Sequence, residues 1–548
     1  MHRIVDDFSF IMGLPVHAQF LTNFNGSKLK KKQQMAARIL WADDEIDLLK
    51  PHILFLQQKG YQIDTANNGA DAVEMSASTH YDVIFLDENM PGLTGLETLS
   101  RIKAKKPGVP VIMITKSEEE HIMEEAIGGQ ISDYLIKPVN PSQILLSLKK
   151  HLDGKELVDQ KTSVDYQTEF RQLGMRINDR PLASEWMEIY HDLVNWELKL
   201  EKSSDAGIRE ILNMQKKEAN AQFCRFVDQN YRDWLHGDED APLLSHQILQ
   251  KKLFPHLGKE PVFLVVIDNL RYDQWKTLRP LIEEFFVVEK EELFYSILPT
   301  ATHYARNALF AGMTPLQIAK KFPKLWLNEN DEGGKNMHEA EFLEGNLKRN
   351  NKQIKMSYHK VIKLDFAKKL VDKFNELLHH DLNVIVYNFV DMLSHARTEM
   401  DVIKELADDE PAYRSLTASW FNHSPLKDIL KKIAAKKLRV FITTDHGTIK
   451  VDNPVKVVGD KNTNTNLRYK VGKNLDYNAK EVLVSSNPED IELPKENVSS
   501  SFIFAKENDF FAYPNNYNHY VNYYTDTFQH GGISLEEMII PFIELRSK

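Results

Sequence analysis

Four short apolar runs punctuate the first part of the chain, and each stops at a polar residue. Ala37-Arg-Ile-Leu-Trp41 is followed by Asp43-Asp44-Glu45, and Tyr81-Asp-Val-Ile-Phe-Leu86 by Asp87. Val109-Pro-Val-Ile-Met-Ile114 ends at Thr115, and Asp133-Tyr-Leu-Ile-Lys-Pro138 follows. Helical patterns lie between them, so residues 36–155 are predicted to form a doubly wound α/β domain. The period then changes. Gln167–Leu173, Ser184–Leu200 and Ile208–Trp234 carry apolar residues three and four apart, with charges on the other faces. That pattern predicts a helical bundle connector over 156–255, packed through Trp186, Trp196, Phe223, Phe226 and Trp234. Gly237-Asp-Glu-Asp-Ala-Pro242 breaks it. From 256 to 548 strand patterns return at Pro261–Asp268, Glu289–Ser296, Asn383–Asp391 and Leu438–Thr444, with a helix expected at Leu364–His379. Residues 326–356 are polar and read as a surface insertion, and Lys456–Val471 reads as a loop. The chain is therefore expected to be an α/β multidomain protein with a helical middle.

Composition narrows the function classes. The chain has 548 residues, 42% of them hydrophobic, which is enough for several cores. Its formal net charge of −10 and the lack of a long basic stripe argue against a nucleic-acid surface that works by phosphate neutralisation. A nucleotide held by metals is still compatible with that charge. One cysteine, Cys224, excludes a disulfide framework and fits a reducing, cytoplasmic setting. Its place in Phe223-Cys-Arg-Phe226 reads as a packed helix position. No apolar run is long enough for a membrane span. Residues 1–35 differ from the rest. Phe8–Phe20 is apolar but holds Pro15 and His17, and its basic residues, Lys28 and Lys30 to Lys32, come after it. A secretory signal has the opposite order, so a tag or an over-long start is expected, with Met35 as a plausible beginning.

The strand ends carry the candidate chemistry. In the first domain Asp43, Asp44 and Asp87 make an oxygen-rich set suited to Mg²⁺, with a lysine and a hydroxyl for the remaining phosphoryl oxygens. These residues, with Asn89-Met-Pro-Gly-Leu-Thr-Gly95, closely resemble the response-regulator receiver domains, which have a flavodoxin-like fold. The resemblance implies that Asp87 accepts phosphate from a sensor histidine kinase. It implies Mg²⁺ on Asp43, Asp44, Asp87 and the Asn89 carbonyl. It also implies phosphoryl contacts from Thr115 and Lys137, and an aromatic switch at Tyr134.

In the last domain, Arg439-Val-Phe-Ile-Thr-Thr-Asp-His-Gly447 places Asp445 and His446 where a strand stops. Asp268 ends another strand. Asp391 ends a third, and His395 follows at i+4 on the same helical face. His530-Gly531-Gly532 precedes the apolar Met538-Ile539-Ile540, and Pro299-Thr-Ala-Thr-His-Tyr-Ala-Arg306 supplies hydroxyls. Three Asp and three His at strand ends suffice for two metal ions with open positions for substrate. This order of pieces resembles the alkaline phosphatase superfamily, nearest its nucleotide pyrophosphatase/phosphodiesterase-like and PglZ branches, over roughly residues 260–545. The resemblance implies two Zn²⁺ ions. One would be on Asp391, His395 and His530, and the other on Asp268, Asp445, His446 and the nucleophile. The family nucleophile is a Ser or Thr with a Gly ten residues later. Thr302 with Gly312 fits that spacing, and Thr300 is the fallback. A metal would activate the hydroxyl to attack phosphorus, giving a phosphothreonine that water then releases. Arg271, His303, Arg306 and Asn307 lie near the motifs and are candidates either for substrate contact or for ordinary packing. An Asn that many phosphodiesterases of this family carry about 21 residues after the nucleophile has no clear match, so monoester and diester preferences both stay open.

Receiver, helical connector and PglZ-like domain on one chain resemble a family of response regulators linked to type IX secretion in Bacteroidetes. That implies a zinc-dependent phosphodiesterase acting on (oligo)nucleotides, dimerisation on phosphorylation, and secretion-machinery or sigma-factor partners. The competing expectation is a signalling adaptor whose phosphatase-like domain only binds partners.

Overall fold

Side-chain alternation along five parallel strands builds the first layer structure in a computed structural model of the chain. It describes residues 37–115, 131–137, 139, 141–152, 166, 169–201, 206–399, 409–460, 463–497 and 499–548. The strands are β1 (Arg38–Ala42), β2 (Gln62–Ala66), β3 (Val83–Asp87), β4 (Val111–Thr115) and β5 (Asp133–Ile136), ordered β2-β1-β3-β4-β5. The helices are α1 (Lys50–Gln58), α2 (Gly69–Ser78), α3 (Gly95–Lys105) and α4 (Pro141–Leu152). Leu40, Ile84 and Leu86 face one way and bury Ala72 of α2 with Leu99 and Ile102 of α3. Ile39, Trp41, Val83 and Phe85 face the other way, toward Leu56 of α1 and Ile144 and Leu148 of α4. Strand order reverses between β1 and β3, and ligands of open α/β sheets bind beside the carboxyl ends at such a point.

The second compact unit spans Tyr166–Lys548. Its centre is a six-stranded sheet of β6 (Val262–Ile267), β7 (Phe286–Tyr295), β8 (Met356–Val361), β9 (Leu382–Tyr387), β10 (Arg439–Thr443) and, from the C-terminal end, Ile539–Ser547. The order is β7, the C-terminal strand, β10, β6, β9, β8. The last four run parallel, and the C-terminal strand is antiparallel to both its neighbours. Every residue of β6 and β9 is buried, which is why these strands read as unbroken apolar runs.

Helices α5 (Ala183–Leu200) and α6 (Ala206–Leu235) were expected as a connector separate from residues 256–548. Instead Trp186, Leu193, Phe223, Val227, Tyr231 and Trp234 share one continuous core with the large sheet. Hydrogen bonds help fix this docking. Tyr295 Oη donates to the Ala183 carbonyl (2.9 Å), and Leu298 N donates to Tyr231 Oη (2.7 Å). The apolar stripes of these helices are covered by the sheet's flank as well as by each other.

Two polar stretches also fold more tightly than their composition suggests. Residues 326–356 contain a helix, Glu339–Arg349, which buries Phe342, Leu343 and Leu347 against the helix Thr302–Ala311. Lys456–Val471 runs into a strand, Tyr469–Gly472, of a small three-stranded antiparallel sheet, with Arg468, Tyr469 and Lys470 buried. The helix expected over Leu364–His379 forms as two pieces, Leu364–Asp372 and Phe374–Leu377. No described helix is long and apolar enough to cross a membrane.

Candidate active site

In the first unit the carboxyl ends of β1, β3, β4 and β5 bring Asp43, Asp87, Thr115 and Lys137 together. Lys137 Nζ lies 2.9 Å from Asp43 Oδ2 and 3.1 Å from Asp87 Oδ2. Asp43 and Asp87 are buried and Asp44 is exposed. All three offer oxygens within 4.8 Å of one another. Burial pushes the Asp87 carboxyl above its ordinary range and the charge of Asp43 adds to this, against the pull of Lys137. One ammonium does not neutralise three carboxylates, and Asp87 Oδ1 is buried with no hydrogen-bond partner among the described residues. Hard oxygen donors in this number fit Mg²⁺. Asn89 is exposed just beyond β3, and Tyr134 on β5 is 40% exposed. If Asp87 is the phosphoryl acceptor that the receiver resemblance implies, replacing it by Asn removes the attacking carboxylate. Intact-mass spectrometry after acetyl phosphate treatment will show a phosphorylated parent and an unmodified variant, and equal labelling of both would reassign the acceptor.

In the second unit the strand ends of β6 and β10 carry Asp268, Asp445 and His446, all within 1% of full burial. Each offers an atom within 4.8 Å of the others. Asp391, on the first turn of the helix Phe389–Glu399, and His395, one turn later, make a second such triad with His530. His446 and His530 stack with ring centroids 4.4 Å apart, so the two triads adjoin. The helix Thr302–Ala311 begins beside the first of them. Thr302 Oγ1 is 3.1 Å from His446 Nε2 and 3.3 Å from Asp268 Oδ1. Gly312 ends this helix at φ +60, where a Cβ would meet the Asn346 amide at 2.5 Å. That contact explains why a glycine follows Thr302 by ten residues. The Thr300 hydroxyl is turned elsewhere. It donates to the Gly532 carbonyl (2.8 Å) and accepts from Gly531 N (3.1 Å), which ties it to the loop of His530.

Charge in this centre is unbalanced. Burial and the neighbouring Asp268 push Asp445 up to about 7, and the same two causes raise Asp391. Burial lowers His446, and burial with the neighbouring His446 takes His530 down to about 4, so both imidazoles are neutral at pH 7. Asp391 Oδ1 and Asp445 Oδ2 are buried with no hydrogen-bond partner among the described residues. Neutral imidazoles and unsatisfied carboxylate oxygens are what cations such as Zn²⁺ coordinate, so the residues fit a pair of metal ions.

Residues 248–545 match the family described as BREX system PglZ alkaline phosphatase-like domain, over more than half of the chain. The chain belongs to the PglZ alkaline phosphatase-like family. Ahead of its PglZ domain, residues 39–149 match the response regulator receiver domain and residues 156–235 the PorX response regulator linker domain. The molecule is therefore a response regulator with a phosphatase-like effector. The receiver is similar to the transcriptional regulatory protein ResD of Bacillus subtilis, 34% identical over 21% of this chain and 48% of ResD. It is 30% identical to AlgB of Pseudomonas putida over 24% of this chain and 29% of AlgB. The chain thus spans less than half the length of these curated relatives. Among solved structures, chemotaxis protein CheY4 of Vibrio cholerae is 29% identical over 21% of this chain and 98% of CheY4, with a TM-score of 0.21.

The four candidate substrate contacts of the PglZ domain are placed differently from one another. Arg306, one turn after Thr302, donates to Asp268 Oδ2 and to Glu339 Oε1, both at 2.6 Å, and lies 3.7 Å from Asp445. It is a counter-ion to the candidate metal ligands Asp268 and Asp445. Of the two alternatives for Arg271 the contacts favour packing: its guanidinium pairs with Asp273 and Glu410 and lies over the rings of Tyr413 and Phe528. His303 stacks on Trp326 and faces Glu329 at 3.3 Å, and Asn307 donates to the carbonyls of His303 and Lys335. Both brace the helix of Thr302. The sequence reading missed Asn336, whose amide donates to the Thr302 carbonyl at 2.9 Å, and Glu339, the anchor of Arg306. Both come from the polar stretch read as a surface insertion, and no spacing marks them there.

Proposed function

We propose that the effector is a zinc-dependent phosphodiesterase acting on nucleotides or oligonucleotides through Thr302, controlled by phosphorylation of Asp87 by a sensor histidine kinase. The observation that carries this reading is the Thr302 hydroxyl within 3.3 Å of Asp268 and His446, two members of a carboxylate–histidine triad that adjoins a second one. Asp391, His395 and His530 would hold one Zn²⁺, and Asp268, Asp445, His446 and Thr302 the other. When bound, the ions supply Lewis acidity, which makes a threonine hydroxyl nucleophilic and neutralises phosphoryl charge. Thr302 Oγ forms the bond to phosphorus while the ester P–O bond breaks and the alcohol leaves with a proton. Water then cleaves the phosphothreonine. Thr302 opens its helix, so developing negative charge lies at the positive end of the helix dipole. Arg306 adds a fixed cation one turn away.

The receiver–linker–PglZ order supports a regulator of type IX secretion that dimerises on phosphorylation and meets secretion-machinery or sigma-factor partners in the cytoplasm. An intact ligand set favours catalysis over an adaptor role, since binding alone does not require buried, unsatisfied carboxylates. Elemental analysis beside a panel of mono- and diesters is the test. Two zinc ions per chain and diester hydrolysis that a chelator abolishes and zinc restores are expected. A metal-free, inactive preparation in the presence of zinc overturns the enzymatic reading. Beryllofluoride should double the mass seen by light scattering, and an unchanged mass with Asp87 modified removes the dimer.

A further inference from the structure

Helix α6 of the linker does more than pack on the sheet. Lys216, Asn220 and Cys224 are four residues apart, so they form one line along the helix. That line lies on the turn Ile533–Glu537. Asn220 is 2% exposed and uses both ends of its amide. Its nitrogen donates to Glu536 Oε2 (2.9 Å), and its oxygen accepts from Leu535 N (2.8 Å). Cys224 Sγ donates to the Ile533 carbonyl at 3.3 Å, and Lys216 Nζ lies 3.8 Å from Glu536 Oε1.

The far side of the same turn touches the backbone beside one histidine of each triad, at Gly532 and Gly447. Glu537 Oε1 accepts from Gly532 N at 2.9 Å, which fixes the loop that carries His530. Gly447 N donates to the Glu537 carbonyl at 3.1 Å, and a Cβ on Gly447 would lie 2.0 Å from the Glu536 carbonyl. The backbone behind His446 is thus pressed against residues 536 and 537. The His446 ring nitrogen Nδ1 in turn lies 3.0 Å from the Gly447 carbonyl. One turn sets a histidine in each triad, and the linker helix holds that turn.

We propose that α6 is a clasp on the metal centre, with Asn220 as a positioning residue for His446 and His530. The proposal rests on the two-metal reading above. Asn220 suits the role because one side chain must give a donor to a buried carboxylate and an acceptor to a buried N–H. Alanine would leave the Leu535 N–H unpaired and the Glu536 carboxylate with only the longer Lys216 contact, so the turn is freer to shift. The helix itself stays anchored by the buried apolar surface of Phe223, Val227 and Tyr231. Outer contacts of this kind change metal affinity by roughly 10- to 100-fold when removed.

The experiment compares Asn220→Ala with Gln215→Ala in the full chain, by zinc competition against a chromogenic chelator and by melting of the metal-free forms. Gln215 is an equally buried amide on the same helix. It bonds Tyr166 and the Phe170 carbonyl and does not touch the turn. Asn220→Ala should weaken zinc binding at least about tenfold, with Gln215→Ala within about twofold of the parent. Asn220→Ser, which keeps one polar partner, should fall between them, and it serves if the alanine variant does not fold. Equal weakening in both alanine variants, or none in Asn220→Ala or Asn220→Ser, overturns the clasp. A parent chain that takes up no zinc overturns the two-metal reading and the clasp together. Full zinc uptake by every variant overturns the clasp alone.

Discussion

Thr302→Ala will lower diester hydrolysis on the order of 10³-fold or more while the protein still takes up zinc. The substitution removes one oxygen. Asp268 and His446 keep their places, because the hydroxyl only touches them from the helix start at 3.1–3.3 Å. Binding survives and the attacking atom does not, so the loss falls on kcat. Thr302→Ser keeps the oxygen and should retain most activity. Thr300→Ala gives the opposite signature. Its hydroxyl closes the loop of His530 through Gly531 and Gly532, so its removal weakens zinc binding but leaves hydrolysis at saturating zinc. Steady-state kinetics of the three variants at saturating zinc decide between the hydroxyls. Full activity in Thr302→Ala together with none in Thr300→Ala would move the nucleophile to Thr300.

The candidate ligands were readable because buried parallel strands are unbroken apolar runs, so the polar residues just after each run mark a strand end. Asp87, Asp268 and Asp445 were found in that way. His395 was found through the i+4 relation, and the structure places Asp391 and His395 on one helix. What surrounds the ligands left no such mark. Glu339 reaches Arg306 across 33 positions, Arg468 reaches Glu537 across 69, and Asn220 reaches Glu536 across 316. Each is a single polar residue whose burial is decided by the packing of distant elements, and no periodic pattern announces it.

Arg271 shows the same limit from the other side. It is three residues from Asp268, and proximity left substrate contact and ordinary packing both open. Asn269 adopts φ +65 directly after the strand, and the chain turns there into the helix Tyr272–Ile282. The arginine is carried to Asp273 and Glu410. The linker stripes are a third case. Period predicts an apolar face, and the residues that cover it are fixed only by the tertiary fold.

Arg306→Met will destabilise the metal-free protein by about 3–5 kcal/mol and the zinc-loaded protein by much less. Methionine fills much of the same volume, so the effect is one of charge. Arg306 is 1% exposed and supplies the positive group nearest to Asp268, at 2.6 Å, with Asp445 at 3.7 Å. Glu339 keeps Lys360 at 3.1 Å as a second partner, but Asp268 loses its guanidinium. Without metal the variant holds an uncompensated carboxylate in a dry site, and burial pushes that group toward its neutral form. Bound zinc restores a positive charge against the same oxygens. Zinc should therefore raise the melting temperature of the variant more than that of the parent, since a ligand stabilises in proportion to its preference for the folded state. Melting curves with and without chelator measure this directly. An equal loss in both conditions would make Arg306 a packing residue with no electrostatic share in the metal centre.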